Sequence, residues 1–289
     1  MDTPVADLPS HPLAVVTPCR ARNLPVLALA YEKMRALFPF KRLHVITARR
    51  NFRRFERVLG TEVALVDEDT MIPGMTLDSL KVIPQPFLAR GPGWYFQQLL
   101  KFQFAFIEPE DDYYLIWDAD TVPLRPMRFF DESGRMLFAI VDPLHQPYFA
   151  TYEKLLGEAP KPEYSFITQH MIVKKSLLRE MLSAIEQHCP GEENWAWKIM
   201  RNLGGDGYKR FSEYETYGHY VRNRHPDLAV FRRLPWSLNG TKLVGPNPTR
   251  ADLDRLPADN DFVSFEAHQI WYRERARQIR HKLRSIFER

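Results

Sequence analysis

A chain of 289 residues with 45% apolar and 26% charged side chains has the make-up of a globular protein, which excludes a disordered or fibrous one. Cys19 and Cys189 are too few for a disulfide framework, and no apolar run approaches the roughly 20 residues that span a bilayer. The net charge of +4 is local: residues 271–289 hold seven Lys or Arg against two Glu, leaving −1 for everything before them, so nucleic acid is not an expected partner. The opening "MDTPVADLPSHP" is acidic and broken by prolines, unlike a secretory signal, and a cytoplasmic location is expected.

In chain order, residues 1–12 read as an extension. Residues 13–270 read as one domain, and no shift in composition marks a boundary inside it. Strands are expected at 13–18, 42–48 and 63–69, with helices at 23–38 and 51–58 between them. Their two-sided apolar character suits a mostly parallel sheet covered by helices, an α/β class. "GPGWYFQQLLKFQFAF" opens on a Gly-Pro-Gly turn and spaces Tyr95, Leu99, Phe102 and Phe106 along one helical face. "YYLIWDADTVPL" follows as the most apolar strand. Strands at 136–142 and 169–175 and helices at 148–156, 175–188 and 193–203 come next. Ser212 then N-caps a helix from Glu213, and "DFVSFEAHQ" is a last strand ending near His268.

Asp-x-Asp occurs four times, at Asp67/Asp69, Asp118/Asp120, Asp252/Asp254 and Asp259/Asp261. Context separates them. The last two sit in proline-rich polar sequence, as solvated loop charges do. Asp67 and Asp69 follow a short strand and suit either a polar cap or a secondary nucleotide contact. Asp118 and Asp120 alone leave a long aromatic strand and enter a proline turn. Side chains two apart on extended backbone share a face, so these carboxylates can converge on a hard divalent cation beyond the strand end. In open α/β sheets that is where ligands sit.

"GWYFQQLLKF", "YYLIWDADTVPL" and "FSEYETYGHYV", in this order, resemble bacterial glycosyltransferases of the GT-A fold, in particular a group associated with surface-polysaccharide (lipopolysaccharide or capsule) synthesis. The resemblance covers about residues 13–270. It implies transfer of a sugar from a nucleoside diphosphate donor to a glycan or lipid-linked acceptor, with Mn²⁺ or Mg²⁺ held through the aspartates. On that reading Asp118 faces ribose and metal, Asp120 coordinates the metal, and His268 is a further ligand, with His170 and His219 as weaker rivals. Thr17 and Arg20, at the end of the first strand, fall where the nucleobase is cradled. Trp94, Gln97, Gln98 and Lys101 line the donor. Gln97 and Lys101 share a helical face from which Gln98 is rotated. Glu213 is the favoured catalytic base of an inverting reaction and Glu215 its alternative; the family usually places an Asp at this step, so the choice between them stays open. Asp206, in "GGDGY", is a candidate acceptor contact.

The tail from Trp271 sets Ala276, Ile279, Leu283, Ile286 and Phe287 near one face of a basic helix. That pattern suits peripheral attachment to an anionic membrane, or equally a helix docked on its own domain. Two other functions compete: a nucleotidyltransferase acting on a sugar phosphate, although no glycine-rich phosphate loop is present, and a non-enzymatic membrane or polyanion adaptor.

Overall fold

The computed structural model of the protein describes residues 12–83, 91–107, 111–142, 144–160, 162–204 and 209–266. Asp206, His268 and the basic segment 271–289 lie outside the described residues. The elements run β1 (Leu13–Pro18), α1 (Leu24–Leu37), β2 (Phe40–Thr47), α2 (Phe52–Leu59), β3 (Ala64–Asp67), α3 (Glu68–Met71), α4 (Pro92–Gln103), β4 (Tyr113–Trp117), β5 (Thr121–Pro123) and β6 (Met136–Ala139). They continue with α5 (Gln146–Leu156), β7 (His170–Lys174), α6 (Lys175–His188), α7 (Trp195–Arg201), α8 (Glu213–Arg224), β8 (Ala229–Arg232), β9 (Trp236–Ser237), α9 (Gly240–Val244), α10 (Arg250–Leu253) and β10 (Phe262–Ser264). The α/β class and most expected positions agree with the sequence reading.

The chain forms two compact units, one from Met1–Ala21, Pro39–Asp118 and Arg128–Arg233 and the other from Arg22–Phe38, Ala119–Met127 and Leu234–Arg289. The first holds a five-stranded sheet in the order β3-β2-β1-β4-β7. β3, β2, β1 and β4 are mutually parallel, and β7 returns antiparallel beside β4. Val15 and Val16 of β1, Val45 and Ile46 of β2, and Leu115, Ile116 and Trp117 of β4 are all fully buried. Burial on both faces is why these strands read as continuous apolar runs rather than as alternating ones. A separate parallel pair, β6 with β8, completes the strands of this unit.

The second unit is a small sheet in the order β5-β10-β9, with α1 packed on β5. Trp236 stacks on Phe262 across β9 and β10, and the hydroxyls of Thr121 and Ser264 bond at 2.6 Å across β5 and β10. The last strand expected from the sequence therefore belongs to this sheet and not to the five-stranded one.

One expected face is corrected. Tyr95, Leu99 and Phe102 are fully buried, but Phe106 is 45% exposed. Helix α4 ends at Gln103 and tightens into a 3-10 turn over Phe104–Phe106, which shifts the angular spacing and turns Phe106 outward beneath the Arg179 guanidinium.

Gly218 sits inside α8, where alanine is ordinarily favoured over glycine by about 1 kcal/mol. Here a Cβ would lie 2.4 Å from the Phe166 ring, whose face has the His219 ring edge-on at 5.0 Å. Gly218→Ala is expected to reverse the usual sign, destabilising by about 1–3 kcal/mol in urea denaturation as overpacking does. Burial holds the His44 imidazole, with Arg42 and Lys175 nearby, and that of His170 down at about 4. Both stay neutral in the folded chain while the unfolded chain protonates near pH 6.5. Stability is therefore expected to fall between about pH 6.5 and pH 4, by up to about 1.4 kcal/mol per pH unit for each histidine, and His44→Gln should flatten that slope.

Candidate active site

The four parallel strands of the first unit end at one edge, and β4 delivers Asp118 there. Its amide donates to the Gln169 carbonyl (2.9 Å), which fixes the backbone of Asp118 against the entry of β7. Gln169 itself adopts the left-handed backbone, φ 65°, unusual for a side chain other than glycine. Pro92 opens α4 at a position where no helical N–H is lost, and the helix brings Lys101 beneath the same edge. Ser212 caps α8 by accepting from the Glu215 amide (3.3 Å), which sets Glu213 and Tyr214 in the first turn.

These three elements converge on one ammonium. Lys101 Nζ donates to Asp118 Oδ1 at 2.5 Å and to Glu213 Oε1 at 2.5 Å. It also donates to the Tyr214 hydroxyl (3.3 Å), which in turn donates to Asp118 Oδ1 (2.9 Å). The Lys101 and Glu213 side chains are 2% and 4% exposed, whereas that of Asp118 is 21% exposed. The cluster therefore has a dry inner end at Glu213 and a wet outer end at Asp118. Although burial favours neutral lysine, the two carboxylates more than reverse this and hold Lys101 protonated well above the usual lysine range. Burial pushes the Glu213 carboxyl up while Lys101 pulls against it. With all three ionised the cluster carries one net negative charge.

The other expected donor residues divide. Gln98 rather than Gln97 shares the inner face with Lys101: its Oε1 accepts from the Glu213 amide (3.1 Å) and its Nε2 donates to the Trp94 carbonyl (3.0 Å). Spacings of three and four are both neighbours on a helix, and here the three-residue step faces α8. Gln97 is half-buried, as is Trp94, whose ring meets Tyr95 edge-on at 4.9 Å. Arg20 is exposed, and a Cβ on Gly93 would meet its guanidinium at 1.9 Å, so the missing side chain lets Arg20 lie over the start of α4. Thr17 departs from expectation. It is fully buried, and its hydroxyl donates to the Trp117 carbonyl (2.9 Å), tying β1 to β4 rather than facing a ligand.

Glu215 also departs from expectation. It is buried and spends its oxygens on Ser165 Oγ (2.5 Å) and the Phe166 amide (3.1 Å), with His219 Nε2 at 3.4 Å. Both oxygens are engaged away from solvent, and they hold the loop before β7. Glu213 faces the opposite way but is shielded from solvent by burial and by Lys101, which does not suit a base that must meet an incoming hydroxyl. Sequence reasoning missed Tyr214; its place between the two glutamates in the first turn of a capped helix was the available signal.

The remaining Asp-x-Asp pairs behave as structural caps where their contacts are seen. Asp67 caps α3 by accepting from the Asp69 amide (3.3 Å), and Asp252 completes a capping box with Thr249. Asp120 is half-buried and belongs to the second unit, where its carbonyl accepts from the Phe265 amide (2.7 Å). His170 and His219 are buried, His170 with Nδ1 against the Thr168 carbonyl (2.9 Å) and His219 among the rings of Phe149, Tyr152 and Phe166. Neither suits an open metal site. Among the described residues no group of three or more His, Cys, Asp or Glu is placed to hold a metal ion, and no helix is long and apolar enough to cross a membrane.

Removing the ammonium should strand two carboxylates, one of them in the dry interior. Lys101→Met is expected to cost about 3–5 kcal/mol in denaturation experiments, and adding Glu213→Gln should recover part of that loss by removing the buried charge.

Comparison with known proteins places the chain among related sequences and folds. No curated protein matches it. Among solved structures it is similar to the apo form of mouse Xyloside xylosyltransferase 1, at 14% identity over 89% of this chain and 98% of that one, with a TM-score of 0.48. It is similar to galactosyltransferase LgtC in complex with donor and acceptor sugar analogs (12% identity, 88% of this chain and 87% of that one, TM-score 0.43). A further likeness is to the apo structure of the WbbM bifunctional glycosyltransferase (12%, 92% and 47%, TM-score 0.45). The family model described as "Family of unknown function (DUF6492)" matches residues 12–237, most of the chain, and the protein belongs to that family.

Proposed function

We propose that this protein transfers a sugar from a nucleoside diphosphate donor to a hydroxyl of a glycan or lipid-linked glycan acceptor, in the making of a cell-surface polysaccharide. The observation that carries the reading is the graded charge cluster, a buried ammonium pinned at its back by Glu213 and presented at its front to a partly exposed Asp118 at the carboxyl end of β4. A buried ionic cluster is seldom the most stable filling for such a space, since apolar side chains of equal volume often do as well or better. Its retention at a ligand-binding edge is therefore read as chemistry.

Asp118 has the chemistry to take a divalent cation, Mn²⁺ or Mg²⁺. One oxygen, Oδ1, is committed to Lys101 and Tyr214; Oδ2 has no partner among the described residues. That suits a cation that takes its other ligands from diphosphate and water rather than from a protein cage. Asp118 would hold it. When bound, the ion neutralises charge on the departing diphosphate.

The chain's own contribution is positioning and electrostatics. Lys101 and Tyr214 fix the rotamer of Asp118 through their hydrogen bonds to Oδ1. Glu213 and Gln98 fix Lys101 and the first turn of α8. Arg20, Gln97 and Trp94 gather near the start of α4, with a cation, an amide and a ring for phosphate, hydroxyl and sugar or base. In this scheme Glu213 anchors the ammonium and does not abstract a proton.

The test is thermal stabilisation by UDP-, GDP-, ADP-, CMP- and dTDP-sugars with Mn²⁺ or chelator, followed by product analysis. A metal-dependent shift with one donor and release of the nucleoside diphosphate are expected, and Asp118→Asn should abolish both. Release of pyrophosphate instead would mean nucleotidyl transfer. No shift with any donor would remove the proposal.

A further inference from the structure

One strongly charged surface is unused by the reading above. Residues 49–57, "RRNFRRFER", hold Arg49, Arg50, Arg53, Arg54 and Arg57 against the single acid Glu56. All five arginines are exposed on the 3-10 turn after β2 and on α2. The guanidinium groups of Arg49, Arg53, Arg54 and Arg57 make no hydrogen bond or ion pair among the described residues, and Arg50 feels only the fields of Glu68 and Asp78. Such a ridge works against local stability. Arg49 and Arg53, Arg50 and Arg54, and Arg53 and Arg57 are four residues apart, and like charges at that spacing repel on a helix. Arg49, Arg50, Arg53 and Arg54 also crowd the N-terminal end of α2, where the helix dipole is positive, with no acid in the first turn. Phe55 and Leu59 are buried and anchor the helix, while Val58, 49% exposed, stands among the arginines. A phosphate-bearing partner would relieve the repulsion.

We propose that this arginine ridge docks the protein on a membrane surface rich in anionic phospholipid. Charge complementarity carries the choice of partner: planar guanidinium groups bond phosphate oxygens in pairs, and an apolar side chain among cations is the make-up of an interfacial helix. Single-stranded nucleic acid fits less well. The aromatics of the segment, Phe52 and Phe55, are half-buried and buried, so the ridge has no exposed ring on which bases could stack. The ridge also has a useful position. It begins at the carboxyl end of β2, two strands and about 10 Å from β4, so docking through it turns the edge that bears Asp118 toward the lipid. The inference does not depend on glycosyl transfer.

The experiment is sedimentation of the full chain with vesicles of phosphatidylcholine alone and of two parts phosphatidylcholine to one part phosphatidylglycerol. Wild type is expected to partition onto the mixed vesicles only, and raised salt should release it. The variant Arg53→Gln, Arg54→Gln, Arg57→Gln should lower the partition coefficient on the order of a hundredfold. A control of equal charge, Arg201→Gln, Arg233→Gln, Arg255→Gln, whose arginines pair with Glu193, Asp142 and Asp252, should change it only slightly. Unchanged melting temperatures establish that the variants are folded. Wild-type partitioning by the ridge variant, as would follow if residues 271–289 alone bound lipid, overturns the proposal. So does an equal loss in the control, or ridge-dependent binding to a single-stranded oligonucleotide with none to vesicles.

Discussion

The ammonium of Lys101 lies between Asp118 and Glu213 with almost no access to water, and the candidate site depends on that placement. A lysine so enclosed stays a cation because two carboxylates reach it and outweigh the effect of burial. The cluster ties three elements far apart in sequence: α4, the end of β4 and the first turn of α8. Moving any one of them by an ångström would leave a buried charge without its partner.

That constraint explains why neighbours in sequence take different tasks. Glu213 and Glu215 are two residues apart in a helical turn, so they point in different directions; one meets Lys101 and the other Ser165 and Phe166. Gln98 is recruited to the inner face because its amide can satisfy an open α8 N–H, one of the four donors that every helix start leaves unpaired. The strained backbone of Gln169 fits the same account: its carbonyl holds the Asp118 amide at the point where the strand stops. Structural groups thus surround the one partly wet carboxylate.

The charges of the chain are segregated in the same spirit. Inside, opposite charges meet at short range, two carboxylates on one ammonium. On α2, like charges are set at helical spacings that repel, with the apolar side of the helix spent on the protein's own core. The first arrangement suits binding a charged small molecule at one point, and the second suits spreading over a surface that supplies the missing anions.

The α/β class, the helix and strand positions and the place of Asp118 at the end of a buried strand were legible from residue order alone. Buried parallel strands leave continuous apolar runs, and a carboxylate at the end of such a run is conspicuous. Local pattern also located Ser212 as a cap. Tertiary structure decided the rest. Periodicity cannot show that α4 tightens into a 3-10 turn before Phe106, or that the last strand joins β5 and β9 instead of the main sheet. It cannot tell which of Thr17, Gln98 and Glu215 spend their polar atoms on backbone, because those partners lie dozens of residues away. Apolar rhythm and capping act over a few residues and are written into the order of side chains, whereas the partner of a buried charge is set by which distant segments packing brings together.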